Sequence, residues 1–230
     1  DPRATQCAAT VAILDDAGVV LDRTVFYARG GGQPGDTGRL IGADGAVWTI
    51  GEAVKGGADG AIAHPILDGP EPPAIGAAVT AEIDWDRRWT HMRMHSAMHL
   101  VCAAVEGDVT GGQVGAEKSR LDFNIPSGSV DKEALTEALN AMVARDAPVR
   151  TVWITDEALA AKPELVRTMS VKPPSGGGRV RLLEIEGIDL QPCGGTHVAR
   201  TSEIGRLTVV KIENKGRQNR RISIALADAP

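Results

Sequence analysis

Short runs of alternating or β-branched residues dominate the first third of the chain. Residues 9–14, 19–21, 47–50, 61–65 and 78–83 each fit a strand of period two, and turn signals such as Asp16-Ala17-Gly18 and Asp44-Gly45 separate them. Gly69-Pro70-Glu71-Pro72-Pro73 is a stiff loop inside this part. So many short strands predict an all-β unit over residues 6–83, closed or nearly closed as a small barrel, because closure buries one face of each strand.

The pattern changes at Trp85. From 85 to 106 there is no glycine or proline, and methionine, alanine and leucine abound, so the longest helix is expected there. A polar, Gly-rich segment leads to a strand over 119–125. A second helix is expected over 131–145, with Ser129 or Asp131 as N-cap. A strand over 149–154 follows, then a short helix opened by Thr155 and a flexible Pro/Gly loop over 173–178. Strands over 179–185, 205–212 and 221–226 close the chain. The expected fold is α+β, with a β-barrel domain over 1–84 and an α+β domain over 85–230. No internal repeat and no low-complexity tract occur.

Composition narrows the class. The chain has 230 residues, 43% of them hydrophobic, 24% charged, with a net charge of -5, which describes an ordinary soluble protein with enough apolar content for real cores. Three cysteines without framework spacing argue against disulfides and for a reducing cytoplasm. No apolar run reaches membrane-spanning length, and the start lacks a signal-peptide profile. No membrane, DNA or obligate protein partner is expected.

The candidate chemistry starts in the long helix. His91, His95 and His99 lie four apart, about 40° around the helix per step, and share one stripe. Histidines at i and i+4 can aim ring nitrogens at a common centre. Cys193 and His197 repeat the same spacing in a glycine-rich loop, so His95, His99, Cys193 and His197 form an N, N, S, N donor set that suits zinc. Cys102 sits among core-like residues and reads as a small buried hydrophobe. His64, alone in the β part, reads as a non-ligand. Where a metallopeptidase helix carries its general-base glutamate, this one has Ser96, so no adjacent carboxylate activates a metal-bound water.

A third constellation is the run Gly30-Gly31-Gly32-Gln33-Pro34-Gly35-Asp36. Its glycines let a ligand approach the backbone and meet N–H donors, although glycine content alone also fits an irregular turn. It is not a P-loop, because no Gly-Lys-Ser/Thr follows.

The glycine run with Gln33, Asp36 and Gly38, then His95-x3-His99, then Cys193-Gly-Gly-Thr-His197, in this order and at these distances, closely resembles the alanyl-tRNA editing proteins (the AlaX family). These are similar to the editing domain of alanyl-tRNA synthetase. The resemblance spans nearly the whole chain and is to the medium-length form, since both the Gly-rich part and the metal part are present. At 230 residues no aminoacylation domain is expected. The resemblance implies a hydrolase that deacylates alanine tRNA wrongly charged with serine, and sometimes glycine. It implies zinc on His95, His99, Cys193 and His197. It also assigns Gln33, Gly31 and Gly32 to donors at the reacting ester, and Thr24 to reading the serine hydroxyl. His91 is expected beside the ligand set or on the helix surface. Four protein ligands would close a tetrahedral zinc, so either one of them, His197, is loose or the ion expands its shell or organises the pocket.

For tRNA, residues 199–221 carry seven Lys/Arg against two carboxylates, net +5 within a chain of net -5. Lys211, Lys215, Arg217 and Arg220, extended by Arg181, form the expected phosphate-contacting face. Aromatic residues are 3%, so contact through shape and phosphates is expected over base stacking. Two other readings stand beside the editing enzyme: a non-catalytic, zinc-stabilised RNA-binding module, and a hydrolase of a different aminoacyl-tRNA or small ester.

Overall fold

The structure is a computed structural model, which describes residues 1–56, 60–125, 130–166, 178–216 and 218–227. The chain divides into two compact units, Asp1–Thr90 and His91–Pro230. The architecture is α+β and mostly sheet.

The first unit holds eight strands: β1 (Gln6–Asp15), β2 (Gly18–Leu21), β3 (Gly38–Gly42), β4 (Val47–Ile50), β5 (Val54–Lys55), β6 (Ile62–His64), β7 (Ile66–Asp68) and β8 (Ala78–Ile83). They form one sheet in the order β5-β6-β2-β1-β8-β3-β4-β7. Strand alternation builds its core: Val79, Ala81 and Ile83 of β8 face inward with Trp48 and Ile50 of β4, Leu40 of β3 and Val11 of β1. The expectation of a closed barrel is corrected here. The order is open, and no pairing among the described residues joins β5 to β7. The edge strands are two and three residues long, too short to carry a closing ladder. Such short edges also limit pairing with other chains.

The helix α1 (Trp85–Ala104) begins in the first unit and continues in the second. Asp84 caps it, its carboxylate accepting from the Arg87 N–H at 3.1 Å. From His91 onward almost every side chain is buried, so the stretch without glycine or proline is helical because it packs on all sides.

The second unit continues with β9 (Asp108–Gln113), β10 (Ser119–Asn124), α2 (Lys132–Ala144), β11 (Val149–Thr155), α3 (Asp156–Ala160), β12 (Arg179–Ile185), β13 (Asp189–Pro192), β14 (Leu207–Asn214) and β15 (Asn219–Leu226). Two antiparallel sheets result, β14-β15-β10-β9 and β11-β12-β13. Asp131 is the N-cap of α2, accepting from the Ala134 N–H at 2.7 Å; Ser129 lies outside the described residues. Thr155 caps α3 through its hydroxyl. Asn140 of α2 pairs both ways with the Leu207 backbone, at 2.9 Å each, and so registers α2 on β14. Most of the loop expected over 173–178 also falls outside the described residues.

Candidate metal centre and the glycine-rich turn

In the second unit, α1 and the segment after β13 bring His95, His99, Cys193 and His197 together, one ligand atom of each within 4.8 Å of the others. Helical spacing sets the His95 and His99 rings 5.5 Å apart, and the His197 ring lies 4.4 Å and 5.0 Å from them. Cys193 Sγ is 3.2 Å from His197 Nε2 and 3.6 Å from His95 Nε2. A tetrahedral zinc with three nitrogens and one sulfur separates its ligand atoms by roughly 3.3–3.6 Å, from the usual bond lengths. The residues therefore fit a metal ion.

Neighbouring groups set the tautomers. His99 Nδ1 donates to Asp189 Oδ2 at 2.9 Å, which turns Nε2 toward the cluster. Gln191 supports the same carboxylate oxygen at 2.7 Å. On the opposite side, His197 Nδ1 lies 3.2 Å from Ser96 Oγ, and that hydroxyl also accepts from the Val198 N–H. The serine that stands in place of a metallopeptidase glutamate is thus a support for the His197 ring. Sequence reasoning missed Asp189, Gln191 and this role of Ser96. The imidazole–carboxylate contact spans 90 positions, and no local pattern marks it.

Arg181, expected on the tRNA face, donates through Nη1 to the carbonyls of Cys193 and Gly195, at 2.6 Å and 3.0 Å, and through Nη2 to Thr151 Oγ1. The Cys193 N–H returns a bond to the Arg181 carbonyl, which extends the β12–β13 ladder to the ligand. The five-residue loop is thereby held at its base. Among the described residues, His91 is not part of the cluster and is buried, which removes the helix-surface alternative. Cys102 is buried among core residues, as expected.

Charge in the cluster is internal. Burial raises the Cys193 thiol pKa, but the imidazoles of His95, His197 and His99 outweigh it and hold the thiol well below its usual range. Burial lowers His99, yet the Cys193 thiolate and the Asp189 hydrogen bond raise it to about 10. Burial lowers His197, against the pull of Cys193, to about 3. A soft anionic donor with imidazoles around it suits a divalent cation, which enters by displacing protons.

The first unit carries the glycine-rich run. Gly30 and Gln33 exchange backbone hydrogen bonds at 3.1 Å and 2.9 Å, closing a two-residue turn over Gly31 and Gly32. Both turn residues have positive φ, 56° and 79°, the conformation that favours glycine. Gln33 is buried, and among the described residues a Cβ on Gly31 would meet nothing within 4 Å, so they leave that side of the turn open. Asp36 anchors the segment: it accepts from the Tyr27 N–H at 2.6 Å and forms a buried ion pair with Arg88, which also donates to the carbonyls of Val25 and Pro2. Thr24 Oγ1 lies 2.8 Å from His64 Nε2 and accepts from the Phe26 N–H at 3.1 Å.

The basic run is partly neutralised in place. Arg221 pairs with Asp122 and Arg200 with Asp146, while Lys211 and Lys215 share Glu213 at 3.0 Å and 3.3 Å. Arg220 donates to the carbonyls of Gly216 and Asn219. Arg217 lies outside the described residues.

The sequence family described as "Threonyl and Alanyl tRNA synthetase second additional domain" matches residues 180–223, which include Cys193 and His197. The family described as "tRNA synthetases class II (A)" matches residues 2–87. The alanyl-tRNA editing protein AlaX-M of Methanosarcina barkeri is 39% identical over 225 residues, 94% of this chain and 91% of its own. The AlaX-M of Saccharolobus solfataricus is 36% identical, with 89% and 86% covered. The alanine–tRNA ligase of Korarchaeum cryptofilum is 36% identical across 91% of this chain but only 24% of the ligase. By its similarity to AlaX-M along almost its whole length, the chain belongs to the alanyl-tRNA editing proteins.

Proposed function

We propose that this protein is a trans-acting editing hydrolase of the cytoplasm. It cleaves the ester that joins serine, and also glycine, to alanine tRNA. The observation that carries the reading is the four-donor cluster of His95, His99, Cys193 and His197, in a chain that belongs to the alanyl-tRNA editing proteins.

The donor set suits zinc, held by those four residues. When bound, the ion supplies a Lewis-acidic centre that polarises or orients a carbonyl. The chain's own residues do the rest. An aminoacyl ester is already activated, so a held substrate and a few fixed donors suffice. Residues 1–84 form the part that reads the aminoacyl group, and residues 85–230 the metal-bearing deacylase part. The turn at Gly31 and Gly32 offers backbone N–H donors on an open side, and the Gln33 side chain is a further donor at the reacting ester. Thr24 contacts the seryl hydroxyl. Lys211, Lys215, Arg217 and Arg220 contact phosphates, and Arg181 supports the Cys193 loop beside them.

The test is deacylation of Ser-tRNA(Ala), Gly-tRNA(Ala) and Ala-tRNA(Ala) side by side, with and without a chelator. The seryl ester is expected to turn over fastest, and chelation to abolish turnover. Gln33→Ala is expected to keep metal and tRNA binding yet lose about ten- to a thousandfold in rate, the scale of removing a transition-state donor. Metal-loaded protein that binds tRNA but hydrolyses none of the three esters would overturn the reading in favour of a binding module.

A further inference from the structure

His64 is the one histidine of the first unit. It is fully buried, at 0% exposure, and among the described residues three make the polar and aromatic contacts of its ring. Nδ1 is 2.8 Å from the Val19 carbonyl, Nε2 is 2.8 Å from Thr24 Oγ1, and the Phe26 ring packs T-shaped against the imidazole with centroids 4.9 Å apart at 87°. A carbonyl oxygen only accepts, so Nδ1 carries the proton. Burial keeps the ring neutral by lowering its pKa, with the Val19 bond opposing. Nε2 therefore has a lone pair and no proton. The Thr24 hydroxyl must donate into it. The same oxygen already accepts the Phe26 N–H. Of its two acceptor sites, one remains.

We infer that His64 is a positioning residue for substrate selection: by fixing the Thr24 proton, it makes Thr24 an acceptor only, a site that recognises a ligand hydroxyl that donates. The inference rests on the reading of Thr24 as the contact of the seryl side chain, and it supplies the reason for the choice. A seryl hydroxyl can donate to the remaining lone pair. An alanyl methyl cannot, and it leaves a half-buried acceptor without its bond, which is the stronger form of discrimination. Without His64 the Thr24 hydroxyl could turn, donate elsewhere, and lose that bias. The ordering runs from the Val19 backbone through the imidazole to a single hydroxyl, with no charged group involved.

Two measurements test it. In the parent, long-range ¹H–¹⁵N correlation of the His64 ring is expected to show Nδ1 protonated and Nε2 as an acceptor; an Nε2-protonated ring overturns the inference whatever the variants do. Kinetically, His64→Phe keeps a ring of similar shape and removes both ring nitrogens. It is expected to lower the seryl-over-alanyl ratio of kcat/KM about tenfold, with metal content and tRNA affinity unchanged. In a Thr24→Val background the same substitution is expected to change the ratio little, because the hydroxyl it orients is gone. If Thr24→Val lowers the ratio and His64→Phe does not, the positioning role is overturned while the Thr24 reading stands. An undiminished ratio in Thr24→Val overturns the Thr24 reading itself. Should His64→Phe fail to fold, the ring tautomer of the parent still decides.

Discussion

Asp189 changes what His99 can do as a ligand. By accepting the Nδ1 proton it fixes the ring's orientation and makes the other nitrogen a better donor. Asp189→Asn keeps the shape and removes the charge. Metal affinity is expected to fall about ten- to a hundredfold, the usual cost of losing such a partner. Competition against a chromophoric chelator measures it, and an unchanged affinity would show that the carboxylate does not tune the ligand. His64 gives the opposite case, an imidazole kept neutral. Burial puts its folded pKa below the ordinary 6.5. Well above that value neither the folded nor the unfolded state holds the proton, and His64 has no effect on the pH dependence. As pH falls below it, the unfolded chain takes the proton first, so stability drops until the lowered folded value is reached. Denaturant midpoints at about pH 5.5 and about pH 7.5 should therefore differ more in the parent than in His64→Phe. An equal drop in both would mean that the buried ring is not the group responsible. Donor identity was legible in the sequence, because side-chain type and i, i+4 spacing state it directly. The supports were not: Asp189, Ser96 and Val19 act through distances that only the fold creates.

Among the elements, α1 is the most legible, and the reason is plain. Twenty residues without glycine or proline leave no competing local structure, and Asp84 supplies the cap. Strands β3, β9 and β13 are the least legible. The first begins and ends on glycine, the second contains a glycine pair, and the third ends in proline; each exists because a neighbouring strand offers a ladder. The expected closure of the first unit into a barrel fails for a related reason. Alternation tells which face is buried but says nothing about whether the two edge strands are long enough to meet. One further contact decides the shape of the glycine-rich segment: the buried Arg88–Asp36 pair, joining the first turns of α1 to that run. Such pairs contribute modestly when intact, yet losing one partner strands a buried charge. Arg88→Met fills the space and leaves the Asp36 charge without its counter-ion, held by the Tyr27 N–H. It is expected to cost about 3–5 kcal/mol by denaturant unfolding, whereas the Arg88→Met/Asp36→Leu pair recovers much of it. A single variant as stable as the parent would show that water reaches the carboxylate.

For the whole molecule the question is how a chain of net charge -5 holds a polyanion. Overall charge opposes the encounter, so binding must rest on a local face. We propose the run from Arg200 to Arg221 as that face on its composition, but its residues are not equivalent. Arg221 and Arg200 are engaged by Asp122 and Asp146, and the Arg221 guanidinium holds the Asp122 carboxyl below its usual range. Lys211 and Lys215 share one carboxylate, Glu213, and so keep one net positive charge between them for a phosphate. Arg181 is spent differently, on the carbonyls of the Cys193 loop. Two kinds of basic residue thus predict two kinds of defect. Lys211→Ala with Lys215→Ala should raise KM for charged tRNA and reduce the slope of log K against log salt by about one, leaving metal affinity unchanged. Arg181→Gln should do the reverse: it frees two carbonyls at the base of the loop and weakens metal retention, with little change in the salt slope. Measuring salt slope and metal affinity on the same samples separates them. If the lysine pair leaves the slope as it was while Arg181→Gln flattens it, the phosphate-contacting face lies along β12 and not along β14.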